Sequence, residues 1–265
     1  MKKAIAIHSY KGGTGKTYFV SNFSIIQAMR GKNVALIDFD IGAPSLNYIF
    51  EDYIDESKRS KYYLKEFLDR KCSVMDFLTP IKQDIESDIH LKGNLYLGLM
   101  NTGRDVFEFF ETAGRKWQMN ALKILLKAKK ELLEDHNFDY IFFDTSPGIK
   151  YWSINAIVCS DLVLLLSTLN KADLSGTDNM VSEIYQSLEK ENHIILNMVP
   201  AAFVEKNKEI ENKIAKIQNK IIGTIPCSCE VQSTLSEYML ILKDEKHPYC
   251  VTLKQIADKI EEITK

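Results

Sequence analysis

No run of apolar residues in this 265-residue chain approaches the roughly 20 that a helix needs to cross a bilayer. A surplus of charge of one sign is missing too. The 34 Lys and Arg against 36 Asp and Glu leave a net charge of −2, so no global basic field is available for gripping nucleic acid. Polyanion contact would have to come from local patches. Cysteine is sparse. Cys72, Cys159, Cys227, Cys229 and Cys250 are five in number and mostly scattered, which argues against a disulfide framework and fits a reducing, cytoplasmic setting. Internal repeats and low-complexity tracts are absent as well, so residues 1–265 read as one domain.

What is present is ordinary globular material, 45% hydrophobic and 26% charged, in a chain long enough to bury a sizeable core. The N-terminal "MKKAIAIHSY" has the lysines and short apolar run of a leader, but the run stops at Ser9 and leads into a glycine loop. It is better read as a first strand. Expected strands are 4–8, 34–37, 95–99, 140–143, 162–167, 194–198 and 221–225, mostly apolar throughout, as when helices cover both faces. Helix-length segments such as 17–29, 117–134, 177–190 and 205–219 lie between them. This alternation predicts a doubly wound, mostly parallel α/β sheet flanked by helices, with ligands beyond the carboxyl ends of its strands. The charge-dense stretch 51–61 reads as a solvated excursion.

The chemistry-bearing residues fall at those strand ends. "KGGTGKT", residues 11–17, follows an expected strand and opens an expected helix. Gly12, Gly13 and Gly15 let the backbone curl so that its N–H groups, that of Thr14 among them, face one point beside a helix N-terminus. Lys16 can reach β- and γ-phosphates and the Thr17 hydroxyl can ligate Mg²⁺. The usual phosphate-loop spacing asks for glycine at position 10, where this chain has Tyr10, and has no use for a second lysine at Lys11. "ALIDFDIGAPSL", residues 35–46, places Asp38 and Asp40 where the second strand ends. One carboxylate can hold a metal's water shell while the other orients an attacking water. In "DYIFFDTSPGI", residues 139–149, an apolar run delivers Asp144 to a strand end, the geometry of an acid that holds Mg²⁺ through water. Gly148 permits a backbone N–H to approach a γ-phosphate and to move when it leaves.

"KGGTGKT", "LIDFDIG" and "DTSPG", in this order and separation, resemble the deviant-Walker-A ATPases of the MinD/ParA family, P-loop NTPases of the SIMIBI type. "IILNMV" and "GTIPCSCEV" extend the likeness almost to the end of the chain. The resemblance implies ATP or ADP with Mg²⁺ as ligands, Thr17, Asp38 and Asp144 on the metal, Asp40 on the attacking water, and Asn197 and the loop after Pro226 around the adenine. Tyr18, next in line after the loop, joins the expected nucleotide contacts. It also gives Lys11 a role, crossing the interface of an ATP-sandwiched homodimer to reach the partner's phosphates. Turnover would then be slow and tied to dimerisation, as in a switch that positions or partitions a cargo under an activating partner.

Four further features bear on what such a switch would bind. In the C-terminal "CVTLKQIADKIEEITK", Leu253, Ile256, Ile260 and Ile263 form an apolar stripe, while Glu261 and Glu262 oppose anionic lipid. This helix is expected to pack on the domain, so direct membrane binding is not expected. Lys116, Lys123, Lys127 and Lys130 share a helical face, with Leu122, Leu125, Leu126 and Leu133 elsewhere for burial. Lys206, Lys213, Lys216 and Lys220 repeat the pattern. Either face could touch DNA non-specifically, or simply be solvated. Finally, Cys227 and Cys229 resemble the paired cysteines of ATPases that mature metal centres, CooC-like or Mrp-like. Two thiolates from each of two subunits would complete a tetrahedral zinc or nickel site.

Overall fold

The apolar runs pair edge to edge in one eight-stranded sheet in the computed structural model, which describes residues 2–86, 89–200, 217, 220–234 and 237–264. In chain order the strands are β1 (Lys3–His8), β2 (Asn33–Phe39), β3 (Leu78–Pro80), β4 (Asp84–Glu86), β5 (Ile89–His90), β6 (Asn94–Gly98), β7 (Tyr140–Thr145), β8 (Leu162–Ser167), β9 (Glu191–Val199) and β10 (Ile221–Pro226). Their order across the sheet is β10-β9-β8-β1-β7-β2-β6-β3, parallel except for the edge pair β3–β6, while β4 and β5 form a separate antiparallel ribbon. The expected doubly wound sheet is therefore present.

Each central strand is buried on both faces because its alternate residues feed two cores. In β1, Ile5 and Ile7 join Phe19, Phe23 and Ile26 of α1 (Lys16–Met29), with Leu253, Ile256 and Ile260 of the helix Pro248–Ile263. Ala4 and Ala6 share the opposite core with Ala156 and Ile157 of the helix Tyr151–Cys159 and Leu125 of the helix Arg115–Lys130. Each large side chain taken fully from water contributes about 1.5–3 kcal/mol. The connection leaving β1 runs toward β2 and that leaving β8 toward β9, in opposite directions, which opens a crevice at the carboxyl ends.

The C-terminal helix packs on the domain as its stripe predicts, beginning at Pro248 with the His247 ring nitrogen accepting the Tyr249 N–H at 3.1 Å. It lies so close to β10 that a Cβ on Gly223 would fall 2.5 Å from Ile256 Cγ1. Three expectations need correcting. The stretch 51–61 is not wholly solvated, since Tyr53 and Ile54 are buried and Ile54 bridges Ile81. The helix expected over 177–190 starts at Lys171, where the Asn170 side chain caps it, and widens to π turns over Met180–Tyr185. Leu126 is exposed, and the helix Arg115–Lys130 accordingly buries a narrower stripe than its leucines suggest. Lys116, Lys123, Lys127 and Lys130 are exposed as expected, whereas Lys206, Lys213 and Lys216 lie outside the described residues.

Candidate functional site

β1 ends at His8 and the chain curls through the glycine loop into α1. Gly13 and Gly15 take φ of 77° and 81°, left-handed conformations that the turn requires and that glycine adopts freely. Gly15 is the N-cap of α1, so no side chain caps the helix, and its first turn holds no acid. The orphan N–H groups and the positive end of the helix dipole are left facing the loop, an arrangement suited to phosphate. Lys16 lies back over the loop, 6% exposed, and donates to Ser9 Oγ at 3.0 Å. Ser9 Oγ in turn donates to the Lys11 carbonyl at 2.6 Å. Burial lowers the Lys16 pKa, and the charges of Asp144, Asp40 and Asp173 oppose that shift. The Thr14 hydroxyl is buried, with no hydrogen-bond partner among the described residues.

Beside the loop, the register of β2 on β7 sets Asp38 opposite Asp144 and Phe39 opposite Thr145. Asp38 is buried, its Oδ1 accepting from the Asp40 N–H at 2.9 Å and Oδ2 from the Leu46 N–H at 3.4 Å. Asp144 is 1% exposed, and among the described residues neither of its oxygens meets a hydrogen-bond donor at bonding geometry. Burial pushes the Asp144 pKa up to about 7, against the pull of the nearby Thr17 hydroxyl and Lys16 ammonium. Burial, and then the Asp144 charge, raise Asp38 well above the usual carboxylate range. Asp40 stands further out, where Ser146 Oγ donates to its Oδ1 at 2.8 Å. Among the described residues no three His, Cys, Asp or Glu side chains gather closely enough to hold a bare metal ion. The hard oxygens of Thr17, Asp38 and Asp144 suit instead a Mg²⁺ that keeps much of its water shell.

Two cavities flank the glycine loop and share Gly13, Gly15 and Tyr18. The larger, about 680 Å³, is bounded by Gly12, Lys16, Thr17, Asp40, Ser146 and Lys150. The smaller, about 260 Å³, is walled by Asn197, Pro226, Cys227, Val231 and Tyr249. Asn197 lines it while its Nδ2 donates to the Thr14 carbonyl at 2.8 Å, close enough that a Cβ on Gly15 would meet it at 2.7 Å. The Tyr18 hydroxyl donates to the Tyr238 carbonyl and accepts the Leu240 N–H. Lys11 is exposed, and no hydrogen bond or ion pair among the described residues engages its ammonium. The Gly148 N–H, expected to approach phosphate, donates here to the Ser9 carbonyl at 2.9 Å. Cys227 and Cys229 are exposed free thiols.

Ser9, Ser146 and His8 take part in this geometry without having been singled out in the sequence. Ser9 and Ser146 sit inside quoted motifs, as the last residue before the loop and the second after Asp144, but a hydroxyl has no spacing rule to announce it.

The family model of the AAA domain (AAA_31) matches residues 2–198. The septum site-determining protein MinD of Thermotoga maritima is 27% identical over 87% of this chain and 78% of its own length. The fold is similar to MinD of Pyrococcus horikoshii in complex with Mg-ADP, at a TM-score of 0.76 and 18% identity over 100% of this chain and 98% of that one. It is similar also to a putative plasmid partition protein of Borrelia burgdorferi bound to AMPPNP, at a TM-score of 0.72 and 21% identity over 99% of each chain. With a glycine loop, a lysine and three carboxylates placed as described and a family match over residues 2–198, this chain belongs to the AAA domain family AAA_31, among the P-loop ATPases of the MinD/ParA type.

Proposed function

We propose that the protein is an ATP-dependent switch that hydrolyses ATP slowly, with Mg²⁺, when two copies enclose the nucleotides between them. The observation that carries this reading is Asp144, a buried carboxylate beside Lys16 and Thr17 at the uncapped mouth of α1, whose two oxygens have no hydrogen-bond partner among the described residues. An orphaned carboxylate of this kind is costly unless a cation completes it.

The loop amides and Lys16 would hold the β- and γ-phosphates, and Thr17, Asp38 and Asp144 would hold a Mg²⁺ ion. Asp40, kept outward by Ser146, accepts a hydrogen bond from the attacking water and lines it up with the γ-phosphorus. ADP and phosphate result. Tyr18, Asn197 and the wall after Pro226 receive the base. Bound Mg²⁺ neutralises charge that develops on the phosphate oxygens. Lys11 has its ammonium free to reach a neighbour's phosphates, and a cation supplied in trans is worth about 10³–10⁵ in rate. The relatives named above are a septum site-determining protein and a putative plasmid partition protein. We assign this chain the same class of work, positioning a cargo under an activating partner, with the exposed lysines of Arg115–Lys130 as the surface for any DNA contact.

The test is paired. Asp40→Ala should accumulate an ATP-bound dimer, read by light scattering, and Lys11→Ala should bind ATP normally yet lose dimer-dependent hydrolysis. A Lys11→Ala protein that turns over at the parent rate sinks the in-trans mechanism.

A further inference from the structure

Two buried groups play no part in the reaction just outlined, the imidazole of His8 and the phenol of Tyr185, each 0% exposed. His8 closes β1, directly ahead of Ser9 and the glycine loop. Its Nε2 lies 2.9 Å from the Gly148 carbonyl oxygen and its Nδ1 2.5 Å from the Tyr185 hydroxyl. A carbonyl oxygen only accepts, so Nε2 carries the proton and donates, and Nδ1 accepts from the Tyr185 O–H. Burial holds the ring neutral, its pKa lowered to about 4, so both bonds persist at neutral pH. The two rings stand edge-on, at 89°.

Gly148 is thereby held on both sides. Its N–H donates to Ser9 and its carbonyl accepts from His8. These bonds act on different peptide planes, which meet at a Cα with φ of 72°. The plane shared with Pro147 is tied only to a backbone acceptor, which a phosphate oxygen can replace. The plane shared with Ile149 is tied to a side chain whose tautomer Tyr185 fixes.

We infer that His8, oriented by Tyr185, is a positioning residue that anchors the peptide after Gly148, so that only the amide before it swings onto the terminal phosphate of a nucleoside triphosphate. This rests on the ATPase reading above. The same contacts give the anchor an outlet. Tyr185 ends the π turns that continue the helix Lys171–Asn179, and the Tyr10 ring packs on Gly176 of that helix. The helix therefore holds the chain on either side of Ser9, once through each neighbour.

The test compares ADP and AMPPNP affinities, with Mg²⁺, for the parent and for Tyr185→Phe, His8→Gln and His8→Asn. Glutamine places an amide nitrogen where Nε2 stands and keeps the donor to Gly148, whereas asparagine stops short of it. AMPPNP affinity should fall about 2- to 10-fold in His8→Asn and Tyr185→Phe, the effect of one neutral hydrogen bond, with kcat falling alongside. ADP affinity should stay within about twofold throughout, because ADP has no terminal phosphate for Gly148 to find, and His8→Gln should resemble the parent. Nitrogen NMR of the ring should show the Nε2–H tautomer, with the Nδ1 signal moved in Tyr185→Phe. Equal AMPPNP affinities in all four proteins overturn the inference, as do equal losses for ADP and AMPPNP, which would mark a merely structural pair. A parent that binds neither nucleotide overturns the ATPase reading together with it.

Discussion

On the function proposed above, Asp144 serves the reaction at the expense of the fold. Burial raises its pKa to about 7. An unfolded carboxyl titrates near 3.8, so between these values the folded state binds the extra proton, and stability falls as pH rises through the window. Asp144→Asn should therefore be a few kcal/mol more stable than the parent at pH 8 and equal to it near pH 3, as read by urea unfolding. The same variant should lose the Mg²⁺-dependent part of ADP affinity. In the parent, that part should fade as pH drops below about 7, because the proton must leave before the cation is attracted. His8 works in the other direction. Its pKa drops from 6.5 to about 4, so the unfolded chain takes up the proton first and stability is lost as pH falls through that range. The part of this loss that comes from His8 should vanish in His8→Gln. That Lys16, Asp38, Asp40 and Asp144 gather at the strand ends was legible in the sequence, because the motifs quoted for them fix their spacing from a strand. His8 was not, since its partners Gly148 and Tyr185 stand 140 and 177 residues away.

At the scale of elements, the helix Lys171–Asn179 is shaped by what lies against it. A Cβ on Gly176 would fall 2.1 Å from the Tyr10 ring, so the ring and the helix fit only because that residue is glycine. Gly176→Ala should cost about 1–3 kcal/mol by overpacking and should displace the loop that carries Lys11. Adding Tyr10→Ser should restore most of the stability, a coupling that a double-mutant cycle measures directly. Ile256→Ala, which opens a gap between the C-terminal helix and β10, should cost about 2–5 kcal/mol and leave nucleotide affinity unchanged. The buried parallel strands were readable because a strand covered on both faces is apolar throughout. β3 was not, for it is a three-residue edge strand ending in Pro80. The start of the helix at Lys171 was hidden as well, because Gly176 reads as a break unless the ring packed on it is known.

For the whole molecule, ligand binding should show as stability. Mg-ADP at about a hundred times its dissociation constant adds about 2.7 kcal/mol. That corresponds to a Tm rise of roughly 5–10 °C for a chain of this size. A thermal melt of parent and Lys16→Ala should show the rise in the first and little in the second. The two cavities divide the site along the chain. The larger is built from residues between Gly12 and Trp152, the smaller from Gly13, Gly15, Tyr18, Asn197, Met198 and residues between Pro226 and Tyr249. On the function proposed above, reaction and base recognition would be encoded in separate stretches of sequence, whose linings share Gly13, Gly15 and Tyr18. A lineage could exchange one nucleobase for another through substitutions near the C-terminal end, while the hydrolytic half of the gene stayed as it was.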